Sequence, residues 1–133
     1  MDINIAILIG RILFGGFFFL MGLSHFAKRK QFEAITIKRN IAHPTFSVIT
    51  TGIILLFGGG SLLLGAAVAF GIILLIIFLI LSSVLIHSFW KDQGDLREMQ
   101  QIFFMRNLAF IGALLIIYAT YVPDWQWALN TVL

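Results

Sequence analysis

Three side chains in this sequence set ionisable chemistry against strongly apolar surroundings: Arg11, His25 and His87. Arg11 lies roughly 12 Å along a helix that starts at Ile3, at about 1.5 Å of rise per residue. If that run crosses a bilayer, the guanidinium costs about 2.5 to 3.5 kcal/mol on insertion scales unless it finds acceptors. No acidic residue stands inside any of the apolar runs. The remaining partners are main-chain carbonyls, Tyr118, Ser61, or an anionic ligand or lipid headgroup. The alternative is an arginine that stretches to the interface on its apolar stem. Ionisable residues within a membrane mark functional sites by default, which makes Arg11 a candidate.

The helical repeat places Arg11, Gly15, Phe18, Gly22 and His25 on one face. A face with an arginine, two glycines and a histidine belongs inside a bundle and not against lipid. Ser83, His87 and Trp90 are expected to share a face in the same way. His25 and His87 both fall at the same end of their apolar runs, and Thr50, Thr51 and Asn107 fall near that level. A polar pocket floored by His25 and His87 and walled by Phe18 and Trp90 suits a quinone headgroup or a similar small ligand. The alternative is that each histidine only hydrogen-bonds locally at a helix end. A metal site is not expected. No His pair stands at i, i+4, and only Asp92 or Glu98, near the rim, could join them. The chain has no cysteine, which removes thiol nucleophiles, disulfide relays and thiolate metal sites. The run Gly58–Gly60 lacks the Lys-Ser/Thr that completes a phosphate loop.

These residues must be positioned by helices in lipid. The chain has 133 residues, 60% of them hydrophobic and 11% charged, with a mean hydropathy of +1.02. A soluble domain carries about 25% charged residues. Residues 44–90 hold no acidic or basic side chain except His87. About 20 apolar residues span a bilayer core, so this run is two helices folded back on each other. The apolar runs show no alternation, which excludes a barrel. The reading is a single all-α domain over 1–133, a bundle of four transmembrane helices at about 3–26, 45–64, 67–90 and 102–121. Pro44 suits the first turn of the second span, and Gly65 the turn after it. Lys28–Pro44 is a basic connection whose middle can lie as a short helix in the interface. Lys91–Gln101 is a polar connection centred near Gly94. Pro123 stops the fourth span, and Asp124–Trp127 forms an aromatic anchor at the water boundary. Residues Met1 to Asn4 lack a basic region, so the first run is an uncleaved span rather than a signal peptide.

Four spans put the first and third connections on one side. Apart from Arg11, every Lys and Arg lies there: Lys28, Arg29, Lys30, Lys38, Arg39, Lys91, Arg97 and Arg106. That asymmetry predicts both termini outside, the N-out/C-out topology. The net charge of +3 then sets topology and attracts anionic membrane lipid; no nucleic-acid partner is implied. The many glycines in or beside the spans let helices approach closely.

The stretch "GRILFGGFFFLMGLSHF" (10–26), Pro44, "GGGSLLLG" (58–65), "HSFW" (87–90) and "RNLAFIGALL" (106–115) together resemble the DoxX family of small bacterial and archaeal membrane proteins. The resemblance implies a four-helix bundle in the bacterial inner membrane. It also implies a relation to the membrane subunit of an archaeal thiosulfate:quinone oxidoreductase, and redox or stress functions. Arg11, His25, His87 and Trp90 match recurrent polar or aromatic positions of the family. Many members place a glutamate near Leu55 or Leu56, and this chain is apolar there.

The resulting expectation is an accessory membrane subunit of a quinone-linked redox system, multi-pass in the inner membrane. Its candidate ligand-binding residues are Arg11, His25, His87, Trp90, Phe18 and Tyr118, with quinone the cofactor considered and a redox protein the partner. The rival is a scaffold or assembly protein that docks a partner, with homo-oligomers open; a small-solute transporter ranks third. The sequence assigns no reaction and does not decide whether the chain is an enzyme.

Overall fold

The computed structural model describes residues 2–120, 125 and 127–130, and every regular element among them is helical. Four helices are long and apolar enough to cross a membrane: Ile3–Ala27, Pro44–Leu64, Val68–Lys91 and Gly94–Thr120. The Tyr121 end of the fourth span, Pro123, Asp124 and Gln126 lie outside the described residues. A fifth helix, Arg29–Lys38, fills the first connection. Every backbone group buried in lipid must pair, which is why the apolar runs are continuous helix.

Two boundaries differ from the sequence reading. The fourth helix starts at Gly94, well before residue 102. The segment after Gly94 is polar but built of helix formers such as Leu96, Arg97, Glu98, Met99 and Gln100, and polarity decides depth, not helicity. The third helix stops at Leu85. Ile86 and His87 both donate their backbone N–H to Ser82 O, and the chain unwinds before a 3-10 turn at Phe89–Lys91. Ser83 and Trp90 therefore do not share one continuous helical face.

The second span is the centre of the packing. Gly15 and Gly22 of the first span meet Gly59 and Gly52 of the second in antiparallel register. A Cβ on Gly15 would fall 2.9 Å from Leu63 N, and one on Gly22 would fall 2.7 Å from Leu56 N. One on Gly59 would collide with the backbone of Phe19. The opposite side of the second span meets the third in the same way, Gly58 against Leu75 and Gly71 against Ser61. Lipid provides no hydrophobic drive for helices to associate, so such close backbone approach supplies the dispersion contacts that hold them. Leu55, Leu62, Ile72 and Leu75 fill the core between these seams.

The fourth span is applied differently. It packs on the third, and only Asn107 and Leu114 of its residues are buried. Its backbone nowhere comes within 8 Å, Cα to Cα, of the first span. Phenylalanine rings bridge that gap: Phe14, Phe17 and Phe18 each lie 5.3–5.7 Å, centroid to centroid, from Phe110.

The first and third connections are joined directly. Arg39 holds Asp92 with both terminal guanidinium nitrogens, at 3.0 and 2.7 Å. The basic connections thus lie at one end of the bundle, and the Gly65 turn at the other.

Candidate functional site

The face predicted for the first span is buried as a unit: Arg11, Gly15, Phe18, Gly22 and His25. Between Arg11 and Gly15 the helix widens into a π-turn, a feature that recurs at functional positions. The aromatic bridge of Phe14, Phe18 and Phe110 separates two cavities along the first-to-fourth seam.

The cavity at the Gly65 end has about 200 Å³ and is lined by Arg11, Phe14, Leu62, Ile117, Thr120 and Trp125, among others. Arg11 is only 5% exposed. Its Nε donates to Leu62 O at 3.1 Å. One terminal nitrogen donates to Leu63 O at 2.7 Å and to Trp127 O at 3.3 Å. The guanidinium carbon stands 5.4 Å from the centroid of the Trp125 ring. Leu129 and Asn130 then donate their backbone N–H groups to Leu64 O and Gly65 O. The last carbonyls of a helix lack intrahelical partners and carry its negative dipole end. Arg11 and the 127–130 segment satisfy four carbonyls in succession at the end of the second span. Gly65, at φ +64°, makes the turn that exposes them. Of the partners expected for Arg11, main-chain carbonyls are in contact with it.

The cavity at the basic end is larger, about 430 Å³, and all four spans and the Arg29–Lys38 helix line it. Ligand sites run from about 300 to 1,000 Å³, so the basic-end cavity reaches that range and the Arg11 cavity does not. Phe18, His25 and His87 line it together, with Thr50, Thr51 and Asn107. His25 Nδ1 donates to Met21 O at 2.8 Å, and its ring stacks on Phe32 with centroids 4.2 Å apart. His87 Nδ1 lies 2.7 Å from Gln100 Oε1. Asn107, buried, donates to Ser83 Oγ at 3.2 Å, and Ser83 donates to Leu79 O. Leu55 is a wholly buried wall residue. No Asp or Glu among the described residues lines this cavity.

Trp90 and Tyr118 stand apart from both cavities. Trp90 is 49% exposed and packs edge-on against Phe89 and Phe104. It is displaced from the His87 face because the third helix has already unwound. Tyr118 is 51% exposed. Among the described residues, no three His, Asp or Glu side chains converge as a metal site. Residues absent from the sequence reading are Phe32 and Thr36 of the interfacial helix and Gln100 of the fourth. The first two were hidden because "QFEAITIK" gives no depth. Gln100 was hidden because its segment reads as a loop.

Four apolar helices with a ligand-sized cavity at one end define a small polytopic membrane bundle. Residues 6–88 match the DoxX family model, and the chain belongs to the DoxX family. Comparison with curated proteins and with solved structures finds no match.

Proposed function

We propose that this chain is a quinone-binding membrane component of a redox system, with the basic-end cavity as its site. The observation that carries the reading is one cavity that combines ligand-scale volume, phenylalanine rings from several helices and two histidines. A quinone ring is flat, apolar on its faces and polar at two opposite edges. Aromatic rings pack on such faces, and imidazoles serve the edges. The lining reaches the lipid-facing surface at Phe46, Leu81 and Leu85, all exposed, which leaves an exit for a hydrocarbon tail. The bound quinone would supply the two-electron chemistry; the chain's own residues hold and orient the ring. A partner protein would exchange electrons with it. The uneven loop charge supports an inner membrane with the basic connections in the cytoplasm and both termini outside.

The test is thermal unfolding of the purified protein in detergent with decylubiquinone or its reduced form. Stabilisation by either, lost in His25→Phe and His87→Phe, is the expected result. No shift with either form, with an equal shift from phospholipid alone, would replace the quinone reading with a lipid site.

A further inference from the structure

The lining of the basic-end cavity has a directional bias in its hydrogen bonding. His25 Nδ1 faces a carbonyl oxygen, which can only accept, so the proton is on Nδ1. His87 Nδ1 faces Gln100 Oε1 and is committed in the same sense. In each neutral ring Nε2 is then a lone pair. No carboxylate among the described residues pairs with either imidazole to favour its charged form. The hydroxyls follow the same pattern. Thr36 donates to Phe32 O at 2.8 Å, Thr51 to Ser47 O at 2.8 Å, and Ser47 to Ala42 O at 3.2 Å. Each hydroxyl proton is spent on a backbone carbonyl, and for Thr36 and Thr51 that carbonyl is in their own helix, a habit of Ser and Thr in helices. What each leaves over is an acceptor oxygen. Arg106 and Asn107 are the exceptions: Arg106 is a donor on an exposed residue whose guanidinium lies over the Phe103 ring, and Asn107 has a second amide N–H beyond the one given to Ser83. Thr50 and Ser82 carry hydroxyls that can turn either way.

We infer that the cavity selects a neutral ring bearing hydrogen-bond donors, a hydroquinone, over the corresponding quinone. This rests on the proposed site and deepens it. A quinone brings two carbonyl oxygens to a wall where acceptors outnumber donors, so its oxygens compete for Arg106, Asn107 and the Thr50 and Ser82 hydroxyls while the imidazole and committed hydroxyl acceptors stay unpaired. A hydroquinone brings two O–H groups and pairs them. A polar group left unpaired away from water is penalised, so the reduced ring should bind about tenfold or more tighter. A cationic amine also carries donors, but no carboxylate among the described residues lines the wall to balance its charge, and Arg106 does line it. The preference has a redox meaning. A site that binds the reduced form more tightly raises the midpoint potential of the bound couple and suits withdrawal of quinol from the bilayer.

The experiment titrates the intact protein in detergent, under argon, with three probes of one shape: decylubiquinol, decylubiquinone and the di-O-methyl ether of decylubiquinol. The ether keeps the ring and the tail but cannot donate. The expected order is quinol tightest, with quinone and ether each about tenfold or more weaker. Thr51→Val and His25→Phe should each lower quinol affinity by several-fold and narrow its margin over the quinone. Equal affinity for quinol and ether, or tighter quinone, overturns the inference while leaving a ring-binding site in place. No binding of any probe overturns the site itself and the inference with it.

Discussion

The second and fourth spans are similar in apolarity but opposite in how they are held. The second is stitched on both sides by glycines, Gly52 and Gly59 toward the first span and Gly58 toward the third. The fourth leans on the third, meets the first through phenylalanine rings, and carries Gly112 with nothing within 4 Å of where its Cβ would stand. Both cavities lie against the fourth span, through Ile117 and Thr120 at one end and Phe103, Arg106, Asn107 and Phe110 at the other. Close backbone packing excludes volume, so a bundle that is tight everywhere has no room for a ligand. Here rigidity is concentrated in three helices, and the fourth closes a site against them.

The contrast is broken most severely at the glycine seam. Gly59→Ala places a methyl against the backbone of Phe19 and Gly15, neither of which can yield as a side-chain tip would. A loss of about 3 kcal/mol or more is expected, read as a lower unfolding midpoint in detergent. Next is Arg11→Leu, which removes the donors from Leu62 O and Leu63 O. Leaving those buried acceptors open should cost about 1 to 3 kcal/mol, with ring-ligand binding at the other cavity retained in the folded fraction. A loss of that binding would mean the two ends are coupled through the Phe14–Phe18–Phe110 bridge.

The Arg39–Asp92 pair is a smaller effect with a defined pH dependence. The hydrogen bonds from Arg39 hold the Asp92 carboxyl below its ordinary value. A depressed folded value means that the pair stabilises above the unfolded value of about 3.9 and loses that contribution as the pH falls through the folded one. Asp92→Asn should therefore lower the midpoint at pH 7, and the gap to the parent protein should close in strong acid. A gap that persists there would assign the loss to packing instead. The smallest effect has the opposite sign. Gly112→Ala meets open space in a helix interior, and alanine is favoured there by about 0.5 to 1 kcal/mol. A slight rise in midpoint confirms the loose side of the comparison. A fall would show that Gly112 contacts another chain in the membrane.

Most of the architecture was legible because lipid imposes it. A run from 44 to 90 without acid or base except His87 admits only a helical hairpin, and Pro44 and Gly65 mark its start and its turn. The inward face of the first span was equally legible, since Arg11, Gly15, Phe18, Gly22 and His25 recur at helical spacing and all prove buried. The site was legible in part. His25, His87 and Phe18 reach one cavity with Thr50, Thr51 and Asn107, whereas Trp90 was assigned to a helical face that ends before it. Periodicity carries no signal for where a helix unwinds when the residues on either side are equally apolar.

The sequence by itself determined that this protein is a set of membrane helices, which surface of the first span turns inward, and that the basic connections share one side. Those follow from the cost of charge and unpaired backbone in hydrocarbon, a cost that each segment meets alone. Only the tertiary structure decided what Arg11 is bound to and that the two polar ends of the bundle are separate cavities of unequal size. It also decided which protons the lining has already spent. Each of these depends on carbonyls, rings and glycines brought together from distant parts of the chain, and no local pattern encodes the distance between them.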